Sequence, residues 1–305
     1  MQRHYRGSWR AAPLAAAVCV AALIAVPAIA QTFGPWGAPV SAQQGSDPAL
    51  NTEFVDGCPI MSNDGLSLYM ASSRPGGLGG LDIWVARRAT TTAGWGAPVN
   101  LGAPVNSAAD DFCPTPVRNK GLLFVTKRDE PNGDIYISRQ KQTGGWSTPV
   151  NLGPDINSAS EEWSPAVYRD EADNEILYFS STRPGGLGGQ DIYYSVNFGP
   201  AQPAQGLNTS FDDSRPNVRK DGKEIVFDST RTPSVGLNDI WTAKRATDSG
   251  AWNPPTHLPD LSSPLGESRA SLSFDGTFML FGSTRVGGEG LTDIYVTTRT
   301  KTGGK

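Results

Sequence analysis

Five acidic residues recur at one point of a repeated pattern, Asp56, Asp111, Glu162, Asp213 and Glu267, and each is followed about twenty residues later by an arginine, Arg74, Arg128, Arg183, Arg231 or Arg285. Carboxylates in this number have two possible chemistries. Left free at one mouth, two of them with ionisation pushed apart could serve as acid and base on a glycosidic bond, or the set could hold a cation or polar ligand. Forked by the arginines, they would instead knit loops to neighbouring strands, because an unpaired charge there is costly. Whatever recurs in every copy serves the scaffold, so the paired, structural role is the expected one and only departures from the repeat are candidates for specificity.

The departures follow the acid directly. The five copies read Gly57-Cys58, Phe112-Cys113, Trp163-Ser164, Ser214-Arg215 and Ser268-Arg269. One arc of the expected mouth is therefore aromatic and the opposite arc basic, which is how a ligand site on a repeating scaffold should look. The expected ligand-binding set is Asp56, Asp111, Phe112, Glu162, Trp163, Asp213, Arg215, Glu267 and Arg269. Packing of Phe112 and Trp163 between repeat units is the alternative. Lys127, Glu130, Asp228 and Glu289 also break the pattern and belong to the same face.

Other catalytic chemistries lack their residues. Past the first thirty positions the chain has one histidine, His257, aligned with Asn100 and Asn151 of other copies, so a Ser-His-Asp or Cys-His mechanism has no base near the mouth. No Cys-x-x-Cys or His-Cys cluster supports zinc, and no metal or cofactor is expected. Calcium remains open on the acidic turn Asp129-Glu130-Pro131-Asn132-Gly133-Asp134. Cys58 and Cys113 hold equivalent positions in adjacent copies and either bridge or stay as buried thiols, depending on how closely their strands approach. Gly-rich loops such as Pro75-Gly76-Gly77-Leu78-Gly79-Gly80 have no helix after them and read as turns, not phosphate cradles.

The elements that carry these residues are strands. Asp-Ile-aromatic triplets begin at Asp82, Asp134, Asp191, Asp239 and Asp293, spaced by 52, 57, 48 and 54 residues. Spacings near 50 in a Gly-turn, strand-forming sequence indicate propeller blades. In the second unit, GWGAPVNL (94–101) suits an outer edge strand, FCPTPV (112–117) the innermost strand, and LLFVT (122–126) and DIYIS (134–138) the two strands between. The Asp of each triplet is expected to accept backbone donors from the loop before it. Apolar residues at successive positions, as in Ile192-Tyr193-Tyr194, bury both faces, so such sheets must stack against one another. The fold class is all-β: a five-bladed β-propeller of four-stranded blades, with FGPWGAPV (33–40) completing the last blade by pairing with the strand of the 290s.

The Asp-Gly turns (Asp64-Gly65, Asp221-Gly222, Asp275-Gly276), the Ser-x-Arg segments and the Asp-Ile-aromatic triplets resemble the WD-like repeat of the periplasmic TolB propeller family over nearly the whole chain after residue 30. That family has six blades and a separate N-terminal domain, neither of which this sequence shows. The resemblance implies a cell-envelope protein. The order Asp56, Asp111, Glu162 is also similar to the Asp, Asp, Glu trio of five-bladed arabinanase-like and invertase-like glycosidases, which implies base or nucleophile, helper and acid in those positions and Trp163 as a sugar platform. The last two units carry the acid as well, where a catalytic trio needs none.

Residues 1–30 read as a signal peptide: Arg3, Arg6 and Arg10, an apolar stretch from Ala11 to Val26, then Ala28-Ile29-Ala30 before cleavage at Gln31. Residues 31–305 are expected to form a single propeller domain. Losing the leader's three arginines moves the formal charge from −4 to −7. An acidic exported protein is unsuited to nucleic acid, and no other segment is apolar enough to span a bilayer. The functional expectation is a periplasmic or secreted monomer that binds a cell-envelope protein or a small polar or glycan ligand at the channel mouth. A glycosidase working through Asp111 and Glu162, with Asp56, is the alternative.

Overall fold

The computed structural model describes residues 31–303; the expected signal peptide lies outside the described residues. Five sheets of four antiparallel strands follow one another along the chain. The inner strands are Asp56–Met61, Asp111–Val117, Glu162–Arg169, Asp213–Val218 and Glu267–Leu272. The second strands are Ser67–Ser72, Gly121–Thr126, Glu175–Ser181, Glu224–Ser229 and Phe278–Ser283. The third are Asp82–Arg87, Asp134–Arg139, Asp191–Val196, Asp239–Lys244 and Asp293–Thr298. The outer strands of the first four blades, Val99–Asn100, Val150–Asn151, Gln202–Pro203 and Thr256–His257, are two residues each, and Pro and Gly around them end the ladder early.

The fifth blade takes its outer strand from the start of the described chain. Val40–Ser41 pairs with Asp293–Thr298, Val40 opposite Val296 and Ser41 opposite Tyr295, which closes the ring as the sequence anticipates. A second clasp was not legible: Thr32–Phe33 pairs with Lys301–Gly303. Phe33 and Trp36 lie under the Arg299 guanidinium at 3.9 and 4.2 Å, so a cation–π stack seals the same seam.

Burial follows the two-faced pattern. The triplet isoleucines Ile83, Ile135, Ile192, Ile240 and Ile294 are fully buried on one face, and Met70, Phe124, Phe179, Phe227 and Phe281 are fully buried from the second strands. Hydrophobic clusters join each blade to the next, as where Tyr168, Ile176 and Tyr178 of the third blade meet Phe227, Trp241 and Trp252 of the fourth. One feature recurs in every inner strand: the residue two places after the acid has positive φ, Cys58 48°, Cys113 47°, Ser164 57°, Arg215 51° and Arg269 52°. The register to the second strand slips there in all five blades. Each inner strand thus carries a bulge, which re-aims one side chain per blade.

Candidate functional site

The acid of each blade is completely buried and both of its oxygens accept hydrogen bonds. Asp111 receives the backbone N–H and hydroxyl of Ser107 on Oδ2 at 2.6 and 2.7 Å, and Arg128 on Oδ1 at 2.8 Å. Glu162 receives Ser158 through both N–H and hydroxyl, the Ser181 hydroxyl at 2.7 Å and Arg183 at 3.1 Å. Asp56 is held by Thr52 and Arg74, Asp213 by Thr209, Ser229 and Arg231, and Glu267 by Ser263, Ser283 and Arg285. The Ser or Thr four residues before each acid is the partner that sequence reasoning missed, although it recurs in all five copies. The arginines also donate to loop carbonyls, as Arg128 does to Pro104 and Val105, so each pair ties two loops to one strand. Where the sequence suggested a carboxylate-lined mouth, the five acids lie below the surface with no lone pair presented to solvent. Asp111 and Glu162 are therefore poorly placed as a general base and acid, which must reach substrate.

The bulges bring Cys58, Cys113, Ser164, Arg215 and Arg269 together. Cys58 and Cys113 form a disulfide between the first and second blades, with Cα atoms 4.8 Å apart. The Ser164 hydroxyl donates to Cys113 Sγ at 3.3 Å. Arg269 is fully buried and crosses the channel: Nη1 donates to the carbonyls of Ser164 and Pro216 at 3.0 and 3.1 Å, and Nη2 to Thr115 Oγ1 and the Pro165 carbonyl at 2.9 and 2.7 Å. Arg269 was expected at the mouth with ligand-binding access, but it plugs the channel instead, because the bulge turns it toward carbonyls of the third and fourth blades and the Thr115 hydroxyl of the second. Asp228 is its nearest counter-charge, accepting the Arg269 backbone N–H on Oδ1 and Arg215 Nη1 on Oδ2, both at 2.9 Å. Burial pushes the Asp228 carboxyl up to about 6 against the pull of the two arginines, and pushes Arg269 down to about 10.

What stays accessible above this plug is the arc of departures. Trp163 is half-buried and meets Phe112 edge to face, ring centroids 5.5 Å apart, while its indole N–H donates to the Asn132 carbonyl at 2.9 Å. A Cβ on Gly133 would lie 3.2 Å from that indole nitrogen and 3.1 Å from Val125, and φ is +91°, so glycine there makes room for the ring. Phe112 is largely buried and packs with Cys113 and Val125, so the packing alternative holds for it more than for Trp163. Lys127 Nζ lies 5.8 Å from the Trp163 ring centre and 6.0 Å from that of Phe112, with Asp110 at 3.8 Å. Ser180 links this arc to the next blade: its hydroxyl donates to the Trp163 carbonyl and accepts the Arg215 N–H. Arg215 then lines a cavity of about 350 Å³ with Thr182, Gln190, Asp212, Ser214 and Asn238. Trp163 and Arg215 are both partly exposed and are tied together through the buried Ser180, whereas the five acids and Arg269 are buried.

The remaining expectations resolve as local structure. Asp82 accepts the N–H of Leu78 and Gly79, Asp191 those of Leu187 and Gly188, and Asp239 and Asp293 do likewise, but Asp134 instead accepts the Asn151 amide at 2.8 Å. A Cβ on Gly77 would come within 1.8 Å of the Asp82 carboxylate, which explains the Gly-rich loop without any ligand. His257 mirrors Asn151, its Nε2 2.9 Å from Asp239 and its ring stacked on Trp241. Asp129 accepts the Tyr136 hydroxyl, and among the described residues no group of three or more His, Cys, Asp or Glu side chains could hold a metal ion. Among the same residues no helix is long and apolar enough to cross a membrane.

No family model matches the sequence, and no curated protein matches it by sequence. Solved structures do match in fold. An alpha-L-arabinofuranosidase from Lactobacillus brevis aligns with a TM-score of 0.56 at 14% identity, over 85% of this chain and 94% of its own. An endo-arabinase from Bacteroides thetaiotaomicron aligns with a TM-score of 0.55 at 14% identity, over 85% and 99%. A TolB-assigned protein from Agrobacterium tumefaciens aligns with a TM-score of 0.50 at 14% identity, over 89% and 99%. Glycoside hydrolases and TolB-like proteins are both fold neighbours, and at these identities the likeness is one of architecture.

Proposed function

We propose that the protein is an exported, non-catalytic binding module that holds a cell-envelope protein or a small polar ligand, glycans included, on the acid-bearing face of the propeller. The observation that carries this reading is the burial and pairing of all five carboxylates: each is fully buried, bonded by its arginine on one oxygen and closed by a Ser or Thr. Catalytic carboxylates must present a lone pair or proton to the substrate, and Asp111 and Glu162 are wholly buried. Recognition then falls to the groups that break the repeat and reach the surface, chiefly Trp163 and Arg215. Export rests on the leader read in residues 1–30.

A panel of arabinan, xylan and galactan oligosaccharides separates binding from hydrolysis. The expected result is no release of sugar by the parent protein, with Asp111→Asn and Glu162→Gln each costing about 3–5 kcal/mol of stability because a buried arginine loses its partner. Turnover that falls by orders of magnitude in Glu162→Gln while the variant stays folded would overturn the proposal.

A further inference from the structure

The ends of the propeller differ in charge. The loops that lead from each outer strand into the next inner strand, 42–55, 101–110, 152–161, 204–212 and 258–266, contain no lysine or arginine. On the hairpin loops beside them the cations are the five arginines already consumed by the buried acids, plus Lys127. Arg215, on an inner strand, is held by Asp228. Against these stand the surface carboxylates Glu53, Asp110, Glu130, Glu161, Asp212 and Glu289, all half-buried or exposed. The same end carries unusually bare apolar side chains: Leu78 is 53% exposed, Leu187 68%, Leu237 71% and Leu291 67%. Isolated exposed leucines need no explanation, but their repetition on one acidic face with a fixed indole does.

Accepting the binding role proposed above, we infer that this face docks a basic, leucine-compatible segment of a partner protein, one of whose lysine or arginine side chains takes the place that Lys127 occupies over Phe112 and Trp163. Lys127 acts as an internal stand-in: its ammonium sits within 6.0 Å of both rings and 3.8 Å from Asp110, the two kinds of group that hold a cation from outside. The indole is fixed by Asn132, so the aromatic wall is ordered before a ligand arrives. Glu161 and Asp212 flank the route from Trp163 to the Arg215 cavity, and both anchor Gln190: Glu161 accepts its side-chain amide and Asp212 its backbone N–H. A negatively charged partner would meet these acids as like charges. A positively charged one gains from each of them, and its association would weaken as salt screens the surface.

The test uses the mature protein, a short blocked peptide of lysines and leucines spaced by glycine, and its counterpart with glutamate in place of each lysine. Calorimetric titration should give the lysine peptide an affinity at least about tenfold above the glutamate peptide, falling as salt is raised. Lys127→Ala should tighten binding about two- to fivefold by removing the internal competitor, whereas the double substitution Glu161→Gln and Asp212→Asn should weaken it. Salt dependence on the unaltered protein keeps the test valid if a variant is unstable. Equal or stronger binding of the glutamate peptide, weaker binding by Lys127→Ala, or no binding of either peptide would overturn the inference. Glycan turnover lost in Glu162→Gln would instead overturn the binding role on which it rests.

Discussion

Arg269 and Asp228 concentrate the energetic tension of the molecule in two side chains. The guanidinium is wholly buried and satisfied mostly by carbonyls, while the backbone N–H of Arg269 donates to the Asp228 carboxylate, which burial pushes up to about 6. The sign of the pH effect follows from that direction. An aspartate whose folded pKa lies above its unfolded value binds more protons in the folded state between those values, so this group adds stability as pH falls from about 6 toward about 4, by up to about 3 kcal/mol. A carboxylate stabilised by an ordinary ion pair does the reverse. Chemical denaturation at pH 7 and pH 5 should show about half of this gain, about 1 kcal/mol, in the parent protein and its loss in Asp228→Asn; identical pH dependence in both would remove Asp228 from the account. Asp228 stood out in the sequence as a break in the repeat, but its partnership with Arg269 could not be read there, because the two lie 41 positions apart on different blades.

Among the elements, the inner strand with its bulge determines what the channel contains. Its signature is faint: the residues at positive φ are Cys, Cys, Ser, Arg and Arg, none of them a turn former, and only the proline that follows in four blades hints at irregular backbone. The bulge explains the reading that changed, the plugging by Arg269, and settles the one left open, the meeting of Cys58 with Cys113. The buried acids were legible because repetition marks scaffold residues, and so was the closing strand, because the Trp36 segment had no blade of its own. The disulfide closes a separation of 55 residues, and loop entropy of that length contributes about 4 kcal/mol. Reduction under native conditions should lower the unfolding midpoint accordingly, and Cys58→Ala with Cys113→Ala should be insensitive to reductant. No change on reduction of the parent protein would mean that the thiols are unpaired in solution.

For the whole molecule, circular closure converts five similar sheets into two dissimilar ends, one acidic with exposed leucines and the Trp163 platform, the other carrying the Asp-Gly turns. Symmetry supplies rigidity, since every blade repeats the same acid, arginine and Ser or Thr lock. Asymmetry supplies the site, since only the second to fourth blades contribute the aromatic pair, Lys127 and Arg215. The central claim, that this face binds without turning over, is tested most directly by following the Trp163 indole N–H resonance, assigned by its loss in Trp163→Phe, during titration with the lysine peptide and with arabinan oligosaccharides while reducing ends are assayed in the same tube. The account predicts that the resonance moves and saturates with no new reducing ends. Accumulating reducing ends, or a static indole while residues at the opposite end shift, would contradict it.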